Sequence, residues 1–335
     1  MLWTVVDLVY TTFAPRGSGY ISGSVTSGLW YFFKFLDKRL PYKSILDAAG
    51  ISIIMSILLV WTLLLWTGNV LMFASTPMAV VNSTSKLPAT TLERVYYAGY
   101  LLSTLGNGNF EGGTDWWMII SSIMSFTGLM MITIAISYMV PVLSAITSRR
   151  AISIRIASIG HSPQAMLLNN WNGKNFSMLN DQLQELALSI AGQGQLHLAY
   201  PVLHYFHHSQ KSTAILPNLA ALDEALSILL LYVPEDQQPD KQYLEPVRKS
   251  ITTFLESLTT TFINPSGGDI PPFNISELKR AHIPLLEPEE EKIRQLDFRR
   301  HILEAMLKND GWNWEKLDNP VFNEKMDLHR LNANQ

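Results

Sequence analysis

The sequence predicts an all-α membrane protein with two membrane-spanning helices, a short re-entrant helix and loop between them, and a helical C-terminal domain. Three observations predict it. The chain of 335 residues holds two long stretches without a charged side chain, from Ala48 to Ser85 and from Trp116 to Ser148. Each exceeds the about 20 residues that a helix needs to cross a bilayer. An amphipathic pattern too short to span lies between them. Beyond about Ala151 charged residues return, prolines punctuate the chain, and helical periodicity dominates.

Residues 1–44 read as amphipathic or interfacial helices. Leu2 to Phe13 is apolar but too short to span, and Pro15 with the Gly/Ser-rich stretch from Arg16 to Gly28 is expected to close it. The segment lacks the basic start and small-residue cleavage site of a signal peptide. From about Leu29 to Leu40, Trp30, Tyr31, Phe33 and Phe35 alternate with Lys34, Lys38 and Arg39. Such a helix lies in the membrane plane, with its cations against anionic lipid headgroups.

Residues 45–150 form the membrane module. The first spanning helix is expected over about 49–74, ending near Pro77, and the second over about 116–147. Lys34, Lys38, Arg39 and Lys43 precede the first, and Arg149, Arg150 and Arg155 follow the second. The connecting loop balances Lys86 and Arg94 against Glu93, Glu111 and Asp115. Excess Lys and Arg remain cytoplasmic, so the protein is expected to cross the cell membrane more than once with both termini inside. Neither span carries a basic residue, which excludes an arginine-bearing voltage sensor. Thr90-Thr-Leu-Glu93 is a capping box, and it opens a helix expected over about 91–103.

That short helix delivers the chain to Ser-Thr-Leu-Gly-Asn-Gly-Asn-Phe, residues 103–110. A backbone that turns successive carbonyls the same way needs alternating backbone hands, which glycine adopts cheaply. Gly106 and Gly108 stand at the alternation. Non-helical backbone at membrane depth is tolerated where it lines water or is buried in protein.

Thr104-Leu-Gly-Asn-Gly-Asn-Phe110, placed between two spans and after a pore-helix pattern, resembles the selectivity filter of the tetrameric potassium-channel superfamily. Within it the likeness is greatest to bacterial non-selective sodium/potassium channels, whose filter reads Thr-Val-Gly-Asp-Gly-Asn-Phe. The resemblance covers roughly residues 45–150 and implies a two-transmembrane-helix pore module with re-entrant pore helix and filter, assembled as a homotetramer. It implies that the carbonyls of Thr104, Leu105, Gly106, Asn107 and Gly108, over a filter at 104–109, bind K+ and Na+ as permeant ions, with no cofactor. Potassium-selective relatives carry an aromatic residue between the two glycines. Asn107 lacks that packing, so weak potassium preference is expected. Full potassium selectivity is the alternative if hydrogen bonds from Asn107 behind the filter replace it. Asn109, Glu111 and Asp115 fall at the implied outer mouth. Gly128 falls where relatives often carry a hinge in the inner helix, and close packing of a small residue is the equal alternative. Pro141, beyond Ser137, Tyr138 and Met139, is expected to kink or end that helix.

Residues 151–335 read as a helical cytoplasmic regulatory domain, with helices expected at roughly 161–170, 176–192, 194–209, 215–232, 240–263, 274–281 and 287–309. Pro217, Pro234, Pro239, Pro265, Pro271, Pro272 and Pro284 mark starts and breaks. Gly192-Gln-Gly194 lacks the third glycine and the preceding strand of a dinucleotide fingerprint. His197, His204 and His208 share a face of the helix expected at 194–209 and form a candidate pH or metal sensor. The chain has no cysteine, which removes disulfides, thiolate catalysis and cysteine-bound zinc. A net charge of −3 carries no nucleic-acid signature. No nucleophile–base pair or phosphate loop suggests an enzyme. The expected partners are further copies of the chain, membrane lipid and an unidentified cytoplasmic gating ligand. The competing class is a non-conducting, membrane-anchored sensor or signalling protein.

Overall fold

The computed structural model describes residues 1–14, 18–39, 45–262 and 270–318. Pro15, Lys43, Pro265 and the Lys38 side chain lie outside the described residues. The chain divides into two compact units. Unit 1 holds Met1–Ser144 together with Tyr200–Phe206, and unit 2 holds Ala145–Ala199 and the chain from His207 onward. The second unit therefore opens a few residues before the expected start at 151.

Unit 1 begins with α1 (Leu2–Phe13) and α2 (Tyr20–Arg39). The stretch expected to break the chain at Arg16–Gly28 is helical from Tyr20 onward. The cause is Asp7, whose buried carboxylate accepts from the backbone N–H groups of Ile21 and Ser22 at 2.7 and 3.2 Å. An acid on one helix thus satisfies the orphan donors at the start of the next. The indole of Trp61 donates to the same carboxylate at 2.9 Å and ties the hairpin to α3 (Ala49–Phe73). At about 1.5 Å per residue α3 is about 37 Å long, enough for a bilayer core of about 30 Å.

A two-residue strand, β1 (Val81–Asn82), leads to α4 (Thr91–Leu102). A second, β2 (Phe110–Glu111), pairs antiparallel with β1. These strands are too short to be read from alternation. Next comes α5 (Asp115–Ile159), which passes through Pro141 without ending. One proline removes one backbone donor, and Ile152, Ile156 and Ile159 give the continuation a buried face in unit 2. The second helix therefore runs twelve residues past the expected end at 147. The segment Tyr200–Phe206 joins unit 1 through aromatic contacts. Tyr200 lies 5.7 Å from Tyr138 of α5, Tyr205 lies 5.3 Å from Trp30 of α2, and Phe206 fills the space beside Gly50 of α3.

Unit 2 continues with α6 (Pro163–Leu168), α7 (Asn180–Ala199), α8 (Ile215–Tyr232), α9 (Lys241–Phe262), α10 (Ser276–Arg280) and α11 (Glu290–Asn309). The helix expected at 194–209 does not form. Its first residues end α7, Pro201 starts a separate 3-10 turn over Pro201–Tyr205, and the chain is irregular beyond it.

α8 matches a membrane span in length, and its mean hydropathy reaches 1.5, but 89% of that window is buried inside the protein. It is the core helix of unit 2. Two acids sit within it. Asp223 accepts from Arg248 of α9 at 2.8 Å and from Arg299 of α11 at 2.6–3.0 Å, and Glu224 forms a bidentate pair with Arg300. An unpaired carboxylate in such a core is strongly disfavoured, so these pairs fix which turns of α9 and α11 face α8. Asp223→Ala strands two guanidiniums and is expected to cost about 3 kcal/mol or more. A thermal melt of the purified chain should show a fall of several degrees; an unchanged midpoint would contradict this assignment.

Candidate functional site

The site is the segment between α4 and β2, with the elements that hold it. α4 begins at the expected capping box. The Thr90 N–H donates to Glu93 Oε2 at 2.7 Å, and the Glu93 N–H reaches Thr90 Oγ1 at 3.5 Å. The N–H and the hydroxyl of Thr90, both donating to Glu93 Oε2, hold the Glu93 carboxyl below its ordinary range. Arg94 fastens the helix start to the end of α3, donating to the carbonyls of Phe73 and Pro77 as well as Ala89. Tyr97, Ala98 and Tyr100 pack against Phe73, Val80 and Met124, and the Tyr97 hydroxyl lies 2.7 Å from Ser121 Oγ on α5.

The end of α4 determines how the next residues run. The Leu105 N–H donates to the Tyr100 carbonyl at 3.0 Å and the Thr104 N–H to the Leu101 carbonyl at 3.1 Å. This is the Schellman arrangement, whose left-handed residue is usually glycine. Here it is Thr104, at φ +58°. Left-handed backbone is rare for a β-branched residue, and strain of this kind costs about 1–3 kcal/mol. Gly106 and Gly108 follow at +63° and +74°, so every second residue from Thr104 to Gly108 has positive φ. Among the described residues, no carbonyl from Thr104 through Gly108 accepts a hydrogen bond. Residues 103–109 are exposed in the single chain, and a Cβ on Gly106 or Gly108 would meet nothing within 4 Å.

Two braces hold this otherwise unbonded backbone. Beyond it, the Asn109 carbonyl accepts from the Ser83 N–H at 3.1 Å and Phe110 pairs with Asn82. Behind it, the Asn107 amide donates to the Tyr96 hydroxyl, and the Tyr100 hydroxyl donates to the Phe110 carbonyl at 2.6 Å. Tyr96 stacks edge-on with Tyr100 and Phe110. The sequence places Tyr96 and Tyr100 on α4 but gives no sign that they reach the loop.

The other expected residues fall in different settings. Glu111 pairs with Lys86, so its charge is locally balanced. Asp115 is the first residue of α5, where an acid suits the helix N-terminus. Gly128 is a packing position: a Cβ there would lie 2.0 Å from the Leu102 carbonyl oxygen at the end of α4. His197, His204 and His208 do not share a helix face. His197 is on α7, His204 in the 3-10 turn and His208 in the irregular segment after it, because Pro201 interrupts the helix. Among the described residues no group of three His, Asp or Glu side chains is arranged to hold a metal ion.

The chain is similar to an uncharacterized membrane protein, YdjJ, of Bacillus subtilis (strain 168). The two are 29% identical over 322 residues, which cover 95% of this chain and 94% of that protein. No family model matches the chain, and no solved structure matches it. With the two long apolar helices, the likeness assigns the chain to a membrane, and its extent takes in both units.

Gly128→Ala should displace the end of α4 and lower the thermal midpoint. Gly192→Ala is the control, since Gly192 lies within α7 and its Cβ would meet nothing within 4 Å. That change should stabilise by roughly 0.5–1 kcal/mol. Equal effects of the two substitutions on the melt would contradict the packing assigned to Gly128.

Proposed function

We propose that the chain is one subunit of a homotetrameric channel that passes monovalent cations, K+ and Na+, through the filter Thr104–Gly108. The carrying observation is the run of five carbonyls without partners among the described residues, on a backbone with positive φ at every second residue. Backbone carbonyls are obligatory acceptors that folded chains pair. A row of them left open, between two helices able to span a bilayer, suits cations that exchange water for oxygen ligands. One chain supplies only one wall, and four copies around an axis would close the path. The channel would lie in the cell membrane with both termini in the cytoplasm. The exposed apolar face of α5, including Ile119, Ile123, Phe126 and Met130, would be shared between lipid and neighbouring subunits. On this reading the chain performs no covalent chemistry.

Asn107 lacks the aromatic bulk of potassium-selective filters, which supports passage of both ions. A second reading, selective for K+, draws on the bond from Asn107 to Tyr96. On that second reading the bond would brace the filter from behind and substitute for the missing packing.

The experiment is current through purified protein in planar bilayers, with K+ on one side and equal Na+ on the other. A reversal potential near zero is expected, and Tyr96→Phe should leave it there. A reversal near the K+ equilibrium value, moved toward zero by Tyr96→Phe, would establish the second reading. Protein that is folded and tetrameric but passes no cation under any condition would contradict both.

A further inference from the structure

Unit 2 contains a cavity of about 300 Å³, bordered by Gln164 of α6, Glu224 of α8, Pro271, Asn274, Trp314 and Glu315. Its floor is built from buried polar groups. Gln164 and Glu224 are only 4% and 5% exposed. The Gln164 carbonyl oxygen is taken by the Glu277 N–H at 2.8 Å, which fixes the amide orientation and leaves its NH2 as the free donor. That NH2 makes no hydrogen bond among the described residues. Glu224 is held from behind by Arg300, at 2.8 and 3.0 Å. Arg300 is itself clamped by the Pro271 carbonyl at 2.7 Å and by the rings of Phe273 and Trp314 at 4.1 and 5.2 Å. Each Glu224 oxygen retains acceptor capacity beyond this pair.

The pKa of Glu224 is pushed up to about 7, chiefly by burial, against the opposing pull of Arg300. Such a carboxylate is short of donors and gains from an N–H brought by a ligand. Asn274 repeats the pattern of Gln164 at the mouth: Ser276 occupies its carbonyl oxygen and leaves its NH2 free.

We propose that this cavity binds a purine nucleoside of the guanine type, its ring N–H donating to Glu224 and its ring carbonyl accepting from the Gln164 amide. A buried acceptor and a buried donor lining one cavity match a lactam edge, in which an N–H adjoins a C=O. The Trp314 indole and the Pro271 ring supply the flat apolar walls that such a base requires. The volume suits a two-ring base with part of its sugar, at the small end of ligand pockets. A phosphate has no cationic partner among the described lining residues and would face Glu224 and Glu315. An organic ammonium offers donors only, so it would leave the Gln164 NH2 unpaired, and Arg300 already balances the charge of Glu224.

The test is equilibrium dialysis of the full-length chain in detergent with guanosine, 1-methylguanosine, whose ring N–H is gone, and tryptamine. It measures binding alone, so its result is independent of conduction. Saturable guanosine binding is expected, at least about tenfold weaker for 1-methylguanosine. Glu224→Gln should abolish it. Because that change also strips Arg300 of its partner, Trp314→Ala serves as a second variant that keeps both Glu224 and Arg300, the latter still held by the Pro271 carbonyl and the Phe273 ring; it should weaken binding at least about tenfold with the fold intact by circular dichroism. Absence of saturable guanosine binding, equal affinity for the methylated nucleoside, preference for tryptamine, or full affinity in a folded Trp314→Ala would each overturn the proposal.

Discussion

A backbone whose φ is positive at every second residue cannot satisfy its own carbonyls, and that constraint organises unit 1. Thr104, Gly106 and Gly108 take the left-handed conformation, and among the described residues no carbonyl from Thr104 through Gly108 accepts a hydrogen bond. The run is held only by its ends and from behind. The Schellman closure of α4 fixes where it starts, and the short β1–β2 pairing fixes where it stops. The Tyr96 and Tyr100 hydroxyls prevent collapse between those points. Each brace depends on the next layer outward. Arg94 anchors the start of α4 to α3, and Gly128 lets α5 approach the carbonyl end of α4. A larger residue at 128 or a different cap at 90 would reach the carbonyls through α4.

Much of this was legible in the residues. The two uncharged stretches locate α3 and α5, because a span excludes charge while it tolerates scattered Ser and Thr side chains. Thr90 and Glu93 mark the start of α4 through a local bond that needs no tertiary context. Gly106 and Gly108 mark the backbone reversals because few other residues adopt them. α8 is readable from its length and periodicity, and Asp223 and Glu224 already argue against a lipid setting.

What could not be read depends on contacts distant in sequence. The helical start of α2 comes from Asp7, 14 residues earlier, and it overrides the Gly/Ser content that reads as a break. An acid within an otherwise apolar segment was the available clue. The shared histidine face fails at Pro201, where the local rule against proline inside a helix outweighs a continuing pattern. The attachment of Tyr200–Phe206 to unit 1 rests on ring contacts with Tyr138 and Trp30, which no spacing announces. Pro141, expected to kink or end its helix, does not end it. Loss of one hydrogen bond does not end a helix whose next turns bury Ile152 and Ile156.

The central claim is that the open carbonyls of residues 104–108 are ion ligands on an axis shared by four chains. Crystals of the purified protein grown with Tl+, a heavy mimic of K+, test it directly through anomalous scattering. The account predicts peaks on a fourfold axis, at coordination distance from carbonyls of Thr104 to Gly108 in four copies. An assembly without that axis, or a filter segment turned away from it with no anomalous density beside those carbonyls, would contradict it.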